Sequence, residues 1–439
     1  MTPLKSWRIA VVGAGAAGLT CAHALKRAGF DAVTVFEGNE RVGGKCCTIE
    51  HKGRTLELGA GGASASYYKV REMLREHDVR AEVSGARGFF LEPTTGQGRF
   101  MPPPMRGLGL FRVAANVSRF LRIAARHSSA LEPGFDGVDP SLAVPFAEWA
   151  RAQGCEVTAE MIEPWFTGFG YGYFDEIPAA YVLKYSALIR LPMYELRDVG
   201  YQGLWERVAA RLDVRTGTRV QRVRRAGNGV VVTSRDQEEP FDALIVACPL
   251  DAALGFLDAT PTERELFSAV RTIDYHVVGV SMRTPPKARY GFIAEHLRRE
   301  HGGKPSFFYR RWLDRDFVLF YALPPPGASL EDTVEATRRL VSDLGGATDD
   351  ESVSRAWKYF PHVDSATMAG GFYRRLEGLQ GQRRTWLAGE VLSFSAVEPV
   401  VAYSQAMIDR WFVSARTPVV VTPSMDAAPD RSPQVARRL

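Results

Sequence analysis

Short, unbroken apolar runs alternate along this chain with stretches of helical period. Arg8-Ile9-Ala10-Val11-Val12 reads as a buried strand, and Gly13-Ala14-Gly15-Ala16-Ala17-Gly18 then opens a helix running to about residue 28, ended by Gly29. A second strand spans residues 32–37. After a central stretch of different texture, a helix over residues 204–212 leads into strands at 218–223 and 230–234. These are joined by a Gly227-Asn228-Gly229 turn and followed by the buried run Ala243-Leu244-Ile245-Val246-Ala247-Cys248-Pro249. Residues 260–375 are mixed, with a strand at 276–282, the prolines Pro324 to Pro326 and a helix near 331–344. One more strand, residues 384–390, ends in Gly389-Glu390, and a helix over 400–412 follows.

The order strand, glycine turn, helix, strand is the setting a dinucleotide-binding turn requires. Gly13 permits the tight turn, Gly15 lets the backbone approach a pyrophosphate, Ala16 and Ala17 begin the helix that faces it, and Gly18 lets helix and strand pack closely. Glu37 closes the second strand next to Gly38, where its carboxylate can accept both hydroxyls of a ribose. Arg41-Val42-Gly43-Gly44-Lys45 adds a second glycine pair with two cations, which suits a longer cofactor: bare glycine amides face phosphates, and Arg41 and Lys45 offset their charge. Thr55-Leu56-Glu57-Leu58-Gly59-Ala60 reads as a strand whose Gly59-Ala60 end lets a flat ring pass close to the main chain.

The fold class predicted is α/β (α+β overall), with a discontinuous Rossmann-like nucleotide domain drawn from residues 1–82, 199–259 and 378–416. A helical and aromatic cap region (83–198) and a mixed α/β substrate region (260–377) are inserted in it, and a tail (417–439) follows. In the cap, residues 106–126 place Arg112, Arg119, Arg122 and Arg126 on one helical stripe and Val113, Val117, Phe120 and Ala124 on another. Two readings stay open for it: a solvated face of a cap helix, or a helix making peripheral contact with a membrane. The eleven residues from Pro164 to Phe174 hold six aromatics and three glycines, a composition that suits either core or the wall of an apolar pocket.

Composition narrows the class further. With 439 residues, 46% hydrophobic and 24% charged, the chain is globular, and an excess of 55 basic over 50 acidic residues is too mild, and too free of any reading motif, to suggest a nucleic-acid partner. Five cysteines without a C-x-x-C pair indicate neither a disulfide framework nor a metal site and fit a cytoplasmic setting. No uncharged apolar run reaches the roughly 18 residues of a membrane span.

The glycine turn with Glu37, the Arg41 to Lys45 segment and Ala388-Gly389-Glu390 before a helix together resemble the flavoprotein superfamily of amine oxidases, phytoene desaturases and protoporphyrinogen oxidases. That resemblance implies an amine-oxidase-like fold and FAD as cofactor. It gives Glu37 the adenosine ribose, Gly15 to Gly18 the pyrophosphate, Gly43, Gly44 and Lys45 the phosphate and ribityl side, Val220 the adenine, Glu390 the ribityl end and Val400, at a helix N-terminus, the flavin O2 edge. A closer likeness is to the bacterial flavin-dependent polyenoic fatty acid isomerases. It rests on Cys46, on Pro145-Phe146 through Gly154-Cys155-Glu156, on Phe169-Gly170-Tyr171-Gly172 with Ile177 to Tyr185, and on Tyr359-Phe360-Pro361-His362-Val363.

The likeness implies a double-bond isomerase acting on a small, lipid-like molecule, a long-chain polyunsaturated acid or related polyene. An amine oxidase or desaturase is the alternative. Hydride loss from a carbon between two double bonds leaves a pentadienyl cation, which calls for a dry aromatic site and no general base. Phe166, Phe169, Tyr171, Tyr173 and Phe174 are the candidate wall, with Phe169 and Tyr171 as catalytic candidates, and Arg87 as a bidentate partner for the substrate carboxylate or a plain surface arginine. Lys358 reads as a solvated lysine rather than the amine-oxidase lysine, and His362 as a core histidine.

Overall fold

A computed structural model of the chain describes residues 3–84, 89–91, 98–99, 109–127, 132–227, 229–344 and 346–414. Its organising element is a five-stranded parallel sheet in the order Asp213–Arg215, Val33–Phe36, Ile9–Val12, Ala243–Val246, Thr385–Leu387. The three central strands are four-residue runs buried at every position, apolar except for Thr34, as a sheet covered on both faces demands. The chain crosses Val33–Phe36 early and returns to it only at residue 213, so this sheet is assembled from three widely separated stretches, 9–36, 213–246 and 385–387. The edge strand Asp213–Arg215 carries two charges in three residues and has no apolar signal to find it by.

At the carboxyl ends of these strands the backbone ladder runs on past the strands. Gly13 donates to Phe36 O (2.8 Å), Ala247 to Val12 O (2.9 Å) and Ala388 to Val246 O (2.9 Å). Three turns therefore leave the sheet side by side at one edge, where ligands bind in open parallel sheets.

Helix Ala16–Arg27 packs against helix Val397–Ile408 on this sheet. The meander Val220–Ala226, Gly229–Ser234, Gln237–Phe241 lies beside it and buries Val223, Val230 and Val232. Buried Arg225 fastens the meander in place: its guanidinium bonds Asp258 (2.6 Å) and both oxygens of Glu263 (2.6 and 2.9 Å).

A second, seven-stranded sheet runs in the order Thr348–His362, Arg271–Met282, Phe317–Ala322, Pro305–Tyr309, Tyr290–Ile293, Phe89–Leu91, Gly98–Arg99. Here period-two alternation sorts the side chains. Tyr275, Val277, Leu319 and Tyr321 face an aromatic cluster, while Val278, Val280, Val318 and Phe320 pack under helix Leu330–Asp343. The aromatic block from Pro164 is half helix: Glu156–Gly168 carries Trp165 and Phe166, and a turn through Gly170 and Gly172 follows. Gly170 has φ +87°, and a Cβ there would lie 2.7 Å from the ring of Tyr275, so the glycine is what lets that ring lie on the main chain.

Arg225→Met should lower the unfolding free energy by about 3–5 kcal/mol at pH 7 in urea melts, because buried Glu263 loses its bidentate partner and half-buried Asp258 is left with Arg383 alone. Burial alone would raise Asp258 and Glu263, but hydrogen bonds from Arg225 outweigh it and hold both below the ordinary carboxylate range. Their contribution is therefore present above about pH 4 and fades as pH falls further. The gap between wild type and variant should shrink in melts repeated below that pH, and an unchanged gap would refute the assignment.

Candidate active site

The first glycine turn and the second meet face to face. Gly43 N donates to Ala14 O (2.8 Å), Gly15 and Gly43 form a parallel bridge, and a Cβ on Gly44 would stand 3.2 Å from the Cα of Gly15. Gly18 is fixed more tightly still, since a Cβ there would sit 1.9 Å from Gly13 O. Leu19 makes the first ladder bond of the helix, to Gly15 O (3.0 Å), so the amides of Ala16 and Ala17 precede the ladder and point out of the helix end. This is an anion cradle made of main chain.

Glu37, buried at the next strand end, divides its carboxylate. One oxygen accepts from Ala14 N (2.8 Å), the other from Asn39 N (2.9 Å) and Asn39 Nδ2 (2.6 Å). It holds the turn in shape and keeps lone pairs for a ribose. Gly38 lies under the side chain of Arg219, and Thr218 N donates to Glu37 O (2.7 Å), which brings Val220 to the same corner.

The two cations of the second turn are placed differently from the expectation that both face phosphate. Arg41 turns inward and donates to Gly44 O (2.8 Å), Val42 O and Cys46 O (both 3.3 Å), so it shapes the loop through its carbonyls. Lys45 pairs with Glu390 (2.7 Å), which arrives from the far end of the chain. Gly59 and Ala60 lie against Lys45 O, and a Cβ on Gly59 would meet that oxygen at 1.8 Å. Just before them, Leu58 O accepts from Trp357 Nε1 (2.6 Å) of the second sheet. Fully buried Glu57 takes Thr48 Oγ1 (2.7 Å) and Tyr201 N (2.9 Å) and faces Arg311 at 3.9 Å. Burial raises its carboxyl above the usual range despite these partners.

Val400 requires a correction. The helix begins at Val397, three residues earlier than its sequence suggests, and Val400 N already donates to Ala396 O (3.3 Å). The amides ahead of the ladder, free to stabilise negative charge, are those of Val397 and Glu398. The Glu398 carboxylate caps helix Tyr68–Glu76 by accepting from Lys69 N (2.9 Å) and Val70 N (2.8 Å).

Beside Lys45 and Glu390 stands the aromatic cluster. Ser395 Oγ donates to Glu390 (2.9 Å), and Ser395 O accepts from Tyr171 (2.9 Å) and Tyr359 (3.2 Å). The Lys45 ammonium lies 5.7 Å from the Tyr359 ring. Tyr171 also touches Phe166, Tyr185, Phe360 and Phe394, with ring centroids 5.0 to 5.3 Å away. Burial pushes the phenols of Tyr171, Tyr185, Tyr275 and Tyr359 far above their ordinary range, so all are neutral hydroxyls at physiological pH.

Phe169 lies in a neighbouring group with Trp165, Phe292 and Phe307. Phe166 and Phe174 are buried as expected. Tyr173 is a correction: it is half-buried beneath Arg299 (4.5 Å), beside Asp175 and Glu176, and does not join the other rings. Lys358 is exposed, on the opposite side of its strand from Tyr359. His362 is buried, stacked on Phe360 and bonded to its carbonyl (2.8 Å). Burial raises the Cys46 thiol to about 12, so it stays protonated. Arg87 lies outside the described residues.

Tyr185, Tyr275, Tyr359 and Phe394 escaped the wall named from sequence because each lies outside the Pro164 to Phe174 block and only tertiary packing brings it to Tyr171. Ser395 had no sequence signal at all. One other group was missed: His23 and Glu76 (2.9 Å) with His77 beside them, across helices Ala16–Arg27 and Tyr68–Glu76, where burial lowers both histidines and keeps them neutral.

Comparison with known proteins matches this architecture. The family model described as flavin containing amine oxidoreductase matches residues 16–375. Pseudooxynicotine dehydrogenase from a Pseudomonas species is 24% identical over 386 residues, covering 82% of this chain and 76% of that one. Among solved structures, the CLA-producing fatty acid isomerase from P. acnes superposes with a TM-score of 0.87 at 30% identity, covering 94% of this chain and all of that one. Cyclohexylamine oxidase from Brevibacterium oxydans shares the fold, with a TM-score of 0.71 at 14% identity over 92% of this chain and 98% of that one. The glycine cradle with Glu37, the Lys45–Glu390 pair and the matched 360 residues agree: this chain belongs to the flavin-containing amine oxidoreductase family.

Proposed function

We propose that the chain is an FAD-dependent isomerase that shifts a double bond in a long-chain polyunsaturated fatty acid or related polyene without net oxidation. The observation that carries this reading is the end-to-end similarity to a fatty acid isomerase at 30% identity, about twice the 14% shared with an amine oxidase of the same fold. The chemistry of the aromatic cluster supports it.

In this reading Glu37 and the first-turn amides of Ala16 and Ala17 would hold the adenosine and pyrophosphate of FAD. Lys45 and Glu390 would hold the ribityl side, and the amides of Val397 and Glu398 would be available to offset negative charge on the ring. When bound, the flavin supplies reversible two-electron chemistry, taking a hydride from carbon and returning it. The substrate loses that hydride from the carbon between two double bonds, and the remaining pentadienyl cation regains one at a different carbon. Electrons and atoms balance, and a conjugated diene leaves.

The chain's residues keep that cation from water and nucleophiles. Tyr171 and Tyr359 spend their hydroxyl protons on Ser395 O and turn ring faces to their neighbours. Neutral rings stabilise a delocalised cation by about 0.5–2 kcal/mol each. Lys358 points away from the cluster, so no lysine from this strand serves the site as a base or water anchor, which weighs against an amine oxidase.

Three results test the reading. Purified yellow enzyme under argon with linoleic acid should give many turnovers to a conjugated diene, with the flavin oxidised at the end. A single stoichiometric bleaching followed by arrest would sink isomerisation in favour of oxidation. Tyr171→Leu should lower kcat roughly 2- to 30-fold through loss of one ring face, whereas Tyr171→Phe, which loses only the bond to Ser395 O, should cost about 5-fold or less; equal effects would remove the ring from the mechanism. Glu37→Ala should leave gel filtration with less FAD per chain than wild type, and an unchanged ratio would refute its assignment.

A further inference from the structure

Helix Leu110–Ala124 packs with one side only. Phe120 is buried against Trp149 (ring centroids 6.2 Å), and Asn116 ties the helix to its neighbour Glu156–Gly168 through Thr158 N (2.9 Å) and Thr158 Oγ1 (2.8 Å), and to the turn before that neighbour through Gly154 O (2.8 Å). The other side faces solvent and is divided lengthwise. At about 100° per residue, Leu110, Leu121, Ala114, Ala125 and Phe111 fall within one sector of about 100°, and Arg122, Arg126, Arg119 and Arg112 fill the next sector of about 80°.

The apolar stripe is not a set of scattered surface residues: Phe111 is 93% exposed, Leu110 84% and Leu121 60%. From residue 110 to 127 the sequence holds no Asp or Glu, and among the described residues no carboxylate pairs with these four arginines. An apolar stripe bordered along its length by cations matches a bilayer interface, where apolar side chains enter the acyl boundary and guanidiniums reach headgroup phosphates. A protein partner would have to offer an apolar groove and an acidic ridge in parallel; an anionic lipid surface offers both everywhere.

We propose that this helix docks the protein on anionic membrane, lying in the plane of the surface with Leu110, Phe111 and Leu121 inserted and the four arginines at phosphate level. The helix beneath it, Glu156–Gly168, carries Trp165 and Phe166 into the aromatic cluster, so docking sets that cluster one helix away from a source of long-chain acids. The proposal's purpose rests on the isomerase reading; its test does not.

The test is sedimentation of the full-length holoprotein with sucrose-loaded vesicles of phosphatidylcholine, with and without phosphatidylglycerol. The expected result is binding to the anionic vesicles at least tenfold tighter than to phosphatidylcholine alone. The double variant Phe111→Ser, Leu121→Ser should lose at least tenfold in vesicle affinity. Its thermal melt and its turnover of dissolved linoleate should stay within error and within twofold of wild type. Arg112→Gln with Arg122→Gln and Arg126→Gln should abolish the preference for anionic lipid. Three outcomes overturn the proposal: wild type that stays in the supernatant with anionic vesicles, a Phe111/Leu121 double variant that binds as wild type does, or a wild-type dimer in gel filtration that this variant turns into monomer without any vesicle binding. Because the readout is binding, these outcomes are separate from success or failure of the anaerobic turnover assay.

Discussion

Everything at the centre of this molecule converges on one short stretch, Glu390 to Ser395. Glu390 receives the ammonium of Lys45 and the hydroxyl of Ser395, and the carbonyl of Ser395 receives two tyrosines from distant segments. A charge pair of 28% and 24% side-chain exposure is worth little by itself. Its weight is geometric, because it joins the glycine-rich edge of the parallel sheet to the aromatic layer above. The Gln380 amide prepares the stretch, bonding Leu387 at both N (2.8 Å) and O (2.9 Å) before the chain turns out at Gly389. Trp357 does the same for Gly59 and Ala60 from the second sheet.

The nucleotide half was legible in the sequence because its demands are local. Gly13, Gly15, Gly18 and Glu37 lie within one βαβ unit, and Gly13 and Gly18 answer steric constraints that a side chain would violate. The apolar strands at residues 9 and 243 announced themselves by unbroken runs. The aromatic half was only partly legible, because its contacts are long-range. Tyr171 stood out in an aromatic-rich block, but so did Tyr173, which tertiary packing sends out beneath Arg299. Tyr359 follows an exposed lysine in a strand whose alternation shows one inward face without saying what it faces. The start of the last helix was misread for a plain reason: Val397-Glu398-Pro399 carries no Ser, Thr or Asp cap ahead of it, and a proline in a first turn is as compatible with a helix as with a loop.

The cluster is notable for its neutrality. Four phenols are held protonated by burial, the cysteine after the second glycine turn is a thiol, and His362 is kept uncharged by the same desolvation. Among the described residues, the fixed charge beside the cluster is the Lys45–Glu390 pair. Such a division suits chemistry in which positive charge appears transiently on a hydrocarbon and must meet polarisable faces, with the one adjacent carboxylate engaged by Lys45 and Ser395.

The threading of the parallel sheet has a consequence for biosynthesis. Its first strand, Ile9–Val12, is made about 370 residues before the edge strand Thr385–Leu387 and the residue that pairs with Lys45. The early βαβ unit gains partners on its two flanks only from residues 213–215 and 243–246, and domains closed by such distant segments mature slowly and are prone to aggregate meanwhile. Truncation before Thr385 would remove the closing strand together with Glu390, the partner of Lys45.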